Sequence, residues 1–271
     1  MNITFIGGGN MAHALIGGLL QRDFTAAQLR VVETNADNRA KVHSAFGVQA
    51  VEDIETGIAG SDVIVLAVKP QQIREVAKQL APLLTGQLLL SIAAGIRAQD
   101  LARWADTQNV VRAMPNTPAL ILSGVSGLYA LPAVSKVHCG TAQTVLAAVG
   151  STLWLEDEQM LDAVTAVSGS GPAYVFYFIE SLQQAAQELG FDARDARRLA
   201  LDTFLGAVKL ADASEDEVSV LRARVTSKNG TTERALLSLD ENDVKRHIIT
   251  AAKAAAERAR EMGDELGGDL K

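Results

Sequence analysis

Gly7, Gly9 and Ala12 stand at the spacing G-x-G-x-x-A, in the run Gly7-Gly8-Gly9-Asn10-Met11-Ala12. Glycine first permits a tight turn. Glycine second lets backbone approach a bound anion, and alanine third lets a helix lie close on a strand. Unpaired N–H groups and the positive dipole end of a helix starting there would hold phosphate. Pyrophosphate binding, and hence a dinucleotide, is the chemistry this spacing serves. Glu33 follows about 20 residues later, where such folds place the carboxylate that meets the adenosine ribose. A carboxylate there repels a 2′-phosphate, and nearby Arg39 is placed to offset that repulsion; a solvated strand end is the plainer reading of Glu33.

Two further clusters carry chemistry. Ser227-Lys228-Asn229-Gly230-Thr231-Thr232-Glu233 combines a turn signal at Asn229-Gly230 with a helix start. The hydroxyls of Ser227, Thr231 and Thr232, with the free N–H groups after Gly230, suit a small carboxylate. Simple helix capping uses the same residue types. Ser168-Gly169-Ser170-Gly171-Pro172 interrupts an apolar helical pattern, which should weaken or bend it. Close packing and a binding role both account for that interruption.

His13, His43, His138 and His247 have no ligand spacing with one another or with Cys139, so no metal site is expected. No G-x-S-x-G is present. Hydride transfer from a reduced nicotinamide remains, because the cofactor then carries the difficult step.

The elements that position these residues follow a regular pattern. Apolar strands are expected at residues 2–6, 28–33, 63–68, 88–92 and 109–113, with further strands at 125–130 and 152–156. Helices are expected after residue 9, over 36–46 and 73–84, around 101–104 and over 132–149. Buried strands alternating with amphipathic helices imply a doubly wound parallel sheet of Rossmann type. The unusual residues fall at the strands' C-terminal ends, the edge where open α/β sheets bind ligands. After residue 157 the strand signals stop, and 160–189, 196–210 and 244–260 read as helices. The expected division is a dinucleotide-binding domain, 1–157, and an all-α domain, 158–271. Residues 161–182 are apolar nearly all round, as in a helix buried on every side. Roughly 110 residues offer little surface to hide such a helix, which points to a partner subunit.

The chain has 271 residues, 48% apolar, with formal charge −7 and one cysteine. That balance, without a basic run, argues against nucleic-acid binding. The longest uncharged stretch, 163–179, is broken by glycine and proline and is short for a membrane span. A lone cysteine forms no internal disulfide, and the N-terminus lacks a basic leader, so a cytoplasmic protein is expected.

Phe5-Ile-Gly-Gly-Gly-Asn-Met-Ala12, Ala67-Val-Lys-Pro70, Ser91-Ile-Ala-Ala-Gly95, Arg112-Ala-Met-Pro-Asn-Thr-Pro118 and Val167-Ser-Gly-Ser-Gly-Pro-Ala-Tyr174 together resemble the pyrroline-5-carboxylate reductases. They run in that family's order over nearly the whole chain. The resemblance implies reduction of a small cyclic imine, 1-pyrroline-5-carboxylate, to L-proline. It also implies a helical domain that dimerises by interlocking helices, with dimers assembling further into decamers. Ile6, Gly7, Gly8, Gly9, Asn10 and Met11 would contact the cofactor, as would Ala67, Val68, Lys69 and Pro70, and Ile92, Ala93 and Ala94. Asn116 would sit near the nicotinamide. Glu158, Thr231 and Thr232 would line the substrate pocket, with Thr232 hydrogen-bonding the ring nitrogen. The chain departs from the family's usual Ser-Pro-Gly-Gly with Ser227-Lys228-Asn229-Gly230; Asn tolerates left-handed backbone, so the turn is expected to survive.

Cofactor identity divides two arguments. Glu33 favours NADH on electrostatic grounds, whereas the resemblance leans to NADPH, which is the expected cofactor with NADH as the alternative. Two other readings use the same dinucleotide fold. A β-hydroxyacid dehydrogenase would need a catalytic lysine, and neither Lys209 nor Lys228 sits in that family's motif. A redox-sensing NAD-binding protein would bind cofactor without turnover.

Overall fold

Four consecutive buried residues, Ile3–Ile6, form β1, and the sheet extends from it on both sides. The computed structural model describes residues 1–268. The strands that follow are β2 (Leu29–Val32), β3 (Gln49–Val51), β4 (Val63–Leu66), β5 (Leu88–Ser91), β6 (Val110–Met114), β7 (Gly124–Ala130) and β8 (Gly150–Trp154). Among the described residues they make one sheet, in the order β3-β2-β1-β4-β5-β6-β7-β8. Strand order reverses beside β1, whose neighbours are β2 and β4. That reversal opens a crevice at the carboxyl ends of β1 and β4.

Helices α1 (Asn10–Leu20), α2 (Ala36–Phe46), α3 (Ile54–Ile58), α4 (Pro70–Leu80), α5 (Ala98–Ala105) and α6 (Lys136–Ala147) connect the strands. Local chemistry sets their ends. Asn35 accepts the Asn38 N–H at 3.0 Å to start α2, and Gly47, at φ +66°, ends it. Pro70 opens α4, where its missing N–H has no helical partner to lose. The central strands are buried on both faces, and alternate side chains feed two cores. Val63 and Val65 join Phe5 and Leu15 on one side, while Ile64 and Leu66 join Ile73 and Leu101 on the other.

The expected doubly wound sheet is present and mostly parallel, with one strand reversed: β7 runs antiparallel to β6, because the short 3₁₀ turn Thr117–Ile121 reverses the chain without a crossover helix. The strand β3 and the helix α3 were absent from the expected element order. β3 is three residues long and only partly buried, too short to show a period.

Beyond β8 come α7 (Met160–Val164), a π-helical turn (Thr165–Gly169), α8 (Gly171–Glu188), α9 (Ala193–Asp212), α10 (Val218–Arg224), α11 (Thr231–Glu241) and α12 (Val244–Gly267). The apolar helix expected over 161–182 is therefore interrupted, and the Ser170 N–H reaches back to the Thr165 carbonyl at 2.8 Å. Contacts divide the chain into two compact units, Met1–Ser170 with the chain from Ala254, and Gly171–Lys253. In the second unit α8 packs on α9. No residue of α8 is buried within the single chain, and Phe176 and Tyr177 are 64% and 67% exposed.

The last part of α12 belongs to the first unit. There Leu266 joins the core beside Leu101 and Trp104. A Cβ at Gly263 would lie 2.6 Å from Arg97 Nε, and one at Gly267 would lie against Asp100 Oδ2, so these glycines let α12 approach α5 closely.

Candidate functional site

The glycine turn closes between β1 and β4. The Gly7 N–H donates to the Val32 carbonyl and the Ala67 N–H to the Ile6 carbonyl, both at 2.8 Å. Gly7 has φ +103°, and a Cβ there would lie 2.8 Å from the Ala67 carbonyl oxygen. This is the tight turn that only glycine makes without strain. Gly9 differs: a Cβ there would meet nothing within 4 Å. The protein's own packing does not require glycine at 9, and the space before α1 stays open for a ligand. No side chain caps α1, so its first N–H groups face that space. Ala12 is fully buried, as close helix–strand packing demands.

A cavity of about 650 Å³ lies along this edge, within the range of small-molecule sites. It is lined by Ile6, Gly7, Gly8 and Gly9 from the turn, by Glu33 after β2, and by Ala67, Val68 and Lys69 after β4. These eight expected cofactor residues are thus brought together. Asn10, Met11, Pro70, Ile92, Ala93, Ala94 and Asn116 lie outside its lining. Met11 instead packs against the core around Leu15, Ala93 is buried, and Pro70 opens α4.

Glu33 is held firmly. Its Oε2 accepts the Gly8 N–H at 3.0 Å, and its Oε1 accepts the Asn35 N–H at 2.9 Å. Arg39 does not reach that carboxylate in any hydrogen bond seen. Its Nη1 donates to the carbonyls of Glu33 and Thr34 at 2.7 and 2.8 Å, and its Nη2 lies 3.1 Å from Glu52 Oε2.

The sequence reading missed the wall that β3 and α3 supply. Glu52, Asp53 and Ile54 line the cavity. Asp53 caps α3 by accepting the Thr56 N–H at 2.7 Å, and that hydrogen bond holds its carboxyl below the ordinary carboxylate value. Asp53-Ile-Glu-Thr56, an Asx cap before a short helix, was the available signal.

Asn116 and Glu158 are tied into the first unit. The Asn116 side-chain amide donates to the Ser168 carbonyl at 3.1 Å, while its Oδ1 accepts the Val125 N–H at 2.9 Å. Glu158 Oε1 accepts from Arg112 Nη1 at 2.9 Å and from the Ala98 N–H at 2.7 Å, placing a carboxylate at the start of α5. Arg112 is 2% exposed, and Asp162 pairs with Arg97 at 2.8 Å. Burial, with Glu158 and Asp157 nearby, pushes the Tyr129 hydroxyl above its usual value.

In the second unit, Asn229 has φ +61°, so asparagine does adopt the left-handed turn. Its N–H donates to Glu233 Oε2 at 2.6 Å, and the Gly230 N–H donates to the Ser227 carbonyl at 3.0 Å. A Cβ at Gly230 would collide with Ser227 Oγ. Thr231 and Thr232 open α11, and no side chain caps it. The arrangement presents two hydroxyls and free N–H groups at one helix end.

Among the described residues, no group of three His, Cys, Asp or Glu side chains is placed to hold a metal, and no helix is long and apolar enough to cross a membrane.

Comparison with known proteins matches these features. A family model described as pyrroline-5-carboxylate reductase dimerisation matches residues 158–262, and one described as NADP oxidoreductase, coenzyme F420-dependent, matches residues 2–95. The chain is 48% identical to the pyrroline-5-carboxylate reductase of Pseudomonas aeruginosa over 98% of each chain. It is 40% identical to that of Haemophilus influenzae over 96% of this chain and 97% of the other. Among solved structures, the pyrroline-5-carboxylate reductase of Coxiella burnetii superposes with TM-score 0.91 at 38% identity, covering 96% and 98% of the two chains. The Plasmodium falciparum pyrroline carboxylate reductase, solved with NADP bound, gives 0.87 at 29%, covering 97% and 98%.

Proposed function

We infer function from one premise: the chain belongs to the pyrroline-5-carboxylate reductase family. It is an NAD(P)H-dependent oxidoreductase that reduces 1-pyrroline-5-carboxylate to L-proline. The observation that carries the cofactor half is the open space at Gly9 before the uncapped start of α1.

The bound cofactor supplies a hydride to the imine carbon. What the chain supplies is position. The turn residues Ile6, Gly7, Gly8, Gly9, Asn10 and Met11 are proposed to hold the dinucleotide, and Ala67, Val68, Lys69, Pro70, Ile92, Ala93, Ala94 and Asn116 to complete its site. Ser227, Gly230, Thr231 and Thr232 are proposed to bind substrate, the α11 N–H groups taking its carboxylate and the Thr232 hydroxyl its ring nitrogen. A protonated imine is already electrophilic, so no strong enzyme acid is required. Glu158 is proposed as a further substrate-binding residue on family resemblance, in addition to its hydrogen bonds with Arg112 and Ala98.

The protein forms a homo-oligomer through the dimerisation region. We propose that Phe176, Tyr177, Leu205 and Val208, all exposed in the single chain, are covered in that dimer, and that dimers assemble further into decamers. We also propose the functional domains as 1–157 and 158–271, and the cytoplasm as the site of action.

The test is direct. Purified protein should oxidise NADH or NADPH only when pyrroline-5-carboxylate is added, and no oxidation with either cofactor would defeat the reading. Thr232→Val should lower turnover by about 1–3 kcal/mol in barrier height with little change in cofactor affinity, because it removes a hydrogen bond made mainly in the transition state. Unchanged turnover would remove Thr232 from the mechanism.

A further inference from the structure

We propose that the adenosine end of the cavity rejects a 2′-phosphate, so that this chain binds NADH in preference to NADPH, with Glu33, Glu52 and Asp53 as the specificity-determining residues. The proposal rests on the family reading for the presence of a nicotinamide dinucleotide and goes beyond it by choosing between the two. It reverses the expectation that the resemblance alone supplies.

Three observations carry it. First, Glu33 is not free to swing away. Its two carboxylate oxygens accept the N–H groups of Gly8 and Asn35, at 3.0 and 2.9 Å, which fixes the anion at the end of β2, where the ribose of a dinucleotide lies. Each oxygen keeps a lone pair that a ribose hydroxyl can use as a donor. A phosphate at that position has no proton to give and carries nearly two negative charges of its own.

Second, the cation that could offset Glu33 is committed elsewhere. Arg39 gives Nη1 to the carbonyls of Glu33 and Thr34, and its Nη2 faces Glu52 at 3.1 Å. Its ion pair is with Glu52, and the hydrogen bonds seen at the Glu33 carboxylate come from backbone N–H groups rather than from this guanidinium. Third, the wall is acidic beyond Glu33. Glu52 and Asp53 come from the β3–α3 junction and line the same cavity, whose basic lining residue is Lys69, from the far side after β4. Asp53 is oriented by the Thr56 N–H, so it too is fixed in place.

Titration calorimetry of the full-length protein with NADH and NADPH reads the proposal without turnover, and 5′-AMP against 2′,5′-ADP isolates the adenosine end. NADH should bind at least about tenfold more tightly than NADPH, a modest demand on like charges a few ångströms apart. The fragments should differ in the same direction, and the gap should narrow as salt is raised. Glu52→Gln frees Arg39 without touching the glycine turn and should tighten NADPH binding alone. Glu33→Gln should narrow the gap as well. Equal or tighter binding of NADPH by the parent overturns the assignment, as does an unchanged ratio in both variants. An equal loss of both cofactors in Glu33→Gln, with no effect of Glu52→Gln, would mark Glu33 as a brace for the turn only and has the same consequence. A clear NADH preference without pyrroline-5-carboxylate reduction would leave this inference standing and remove the family reading; binding of neither dinucleotide would remove both.

Discussion

Asn116 holds Ser168 by a side-chain hydrogen bond of 3.1 Å to its carbonyl, while the same side chain accepts the Val125 N–H. One amide therefore joins three segments: the exit of β6, the start of β7 and the π-helical turn. A π turn shifts the hydrogen-bond register and leaves a carbonyl in need of a donor, and such turns often mark functional sites. Asn116→Asp keeps the acceptor, loses the donor and sets a charge against a carbonyl. It should reduce unfolding free energy by about 1–3 kcal/mol and lower turnover in parallel. Urea unfolding beside steady-state rates checks this, and unaltered stability would show that the clamp has no weight.

Arg112 is the most buried charge of its cluster and faces both Glu158, at 2.9 Å, and Asp162, at 3.8 Å. Removing it leaves Glu158 without a cation, held only by the Ala98 N–H, and takes the nearer positive charge from Asp162 Oδ1, which has no hydrogen-bond partner while Oδ2 keeps Arg97. Arg112→Met should destabilise the protein by about 3–5 kcal/mol, the range for breaking a buried pair from one side. Replacing Glu158 by Met as well should restore part of the loss. A double variant as unstable as the sum of the singles would refute the pairing.

The glycine turn, Glu33 and the strand ends after β1 and β4 were legible because turn chemistry is local: Gly7 has to be glycine for its own φ, and the neighbouring apolar runs declare themselves as strands. The Asn229-Gly230 turn was legible for the same reason. The roles of Arg112 and of Arg39 were not. Each depends on partners 46 and 13 residues away, at Glu158 and Glu52, and nothing in an arginine's immediate neighbours says where its guanidinium will point. The return of α12 to the first unit was hidden likewise, since the helix expected over 244–260 stops short of Gly263 and Gly267, whose use as room for Arg97 and Asp100 depends on residues far away in the chain.

Acid should loosen the β3–α3 wall of the cofactor cavity. Asp53 accepts the Thr56 N–H, and its carboxyl lies below the ordinary value of 3.8. A lowered folded-state value means that the folded protein releases this proton more readily than the unfolded chain. The stabilisation is therefore fully present above the unfolded value and is lost as pH falls from there through the lowered folded one. In Asp53→Asn the part of the acid-side decline due to this group should vanish. Thermal melts of parent and variant from neutral pH to pH 3 test it, and parallel melting curves would show that the cap contributes nothing to the pH response.

Gly263 gives the sharpest sign test of packing against propensity. In an exposed helix, Gly→Ala adds up to about 1 kcal/mol of stability. At Gly263 a Cβ would lie 2.6 Å from Arg97 Nε and 2.7 Å from its Cζ, so the guanidinium must shift. Arg97 is the partner of Asp162 at 2.8 Å, and moving it disturbs a nearly buried ion pair. Overpacking costs roughly 1–3 kcal/mol, which outweighs the propensity gain and leaves a net loss on the order of 1 kcal/mol for Gly263→Ala. Gly206, where an added Cβ would meet nothing within 4 Å, is the control inside α9, and Gly206→Ala should not destabilise the isolated fold. A stabilised Gly263→Ala would mean that α12 does not press on α5 as closely as these distances require.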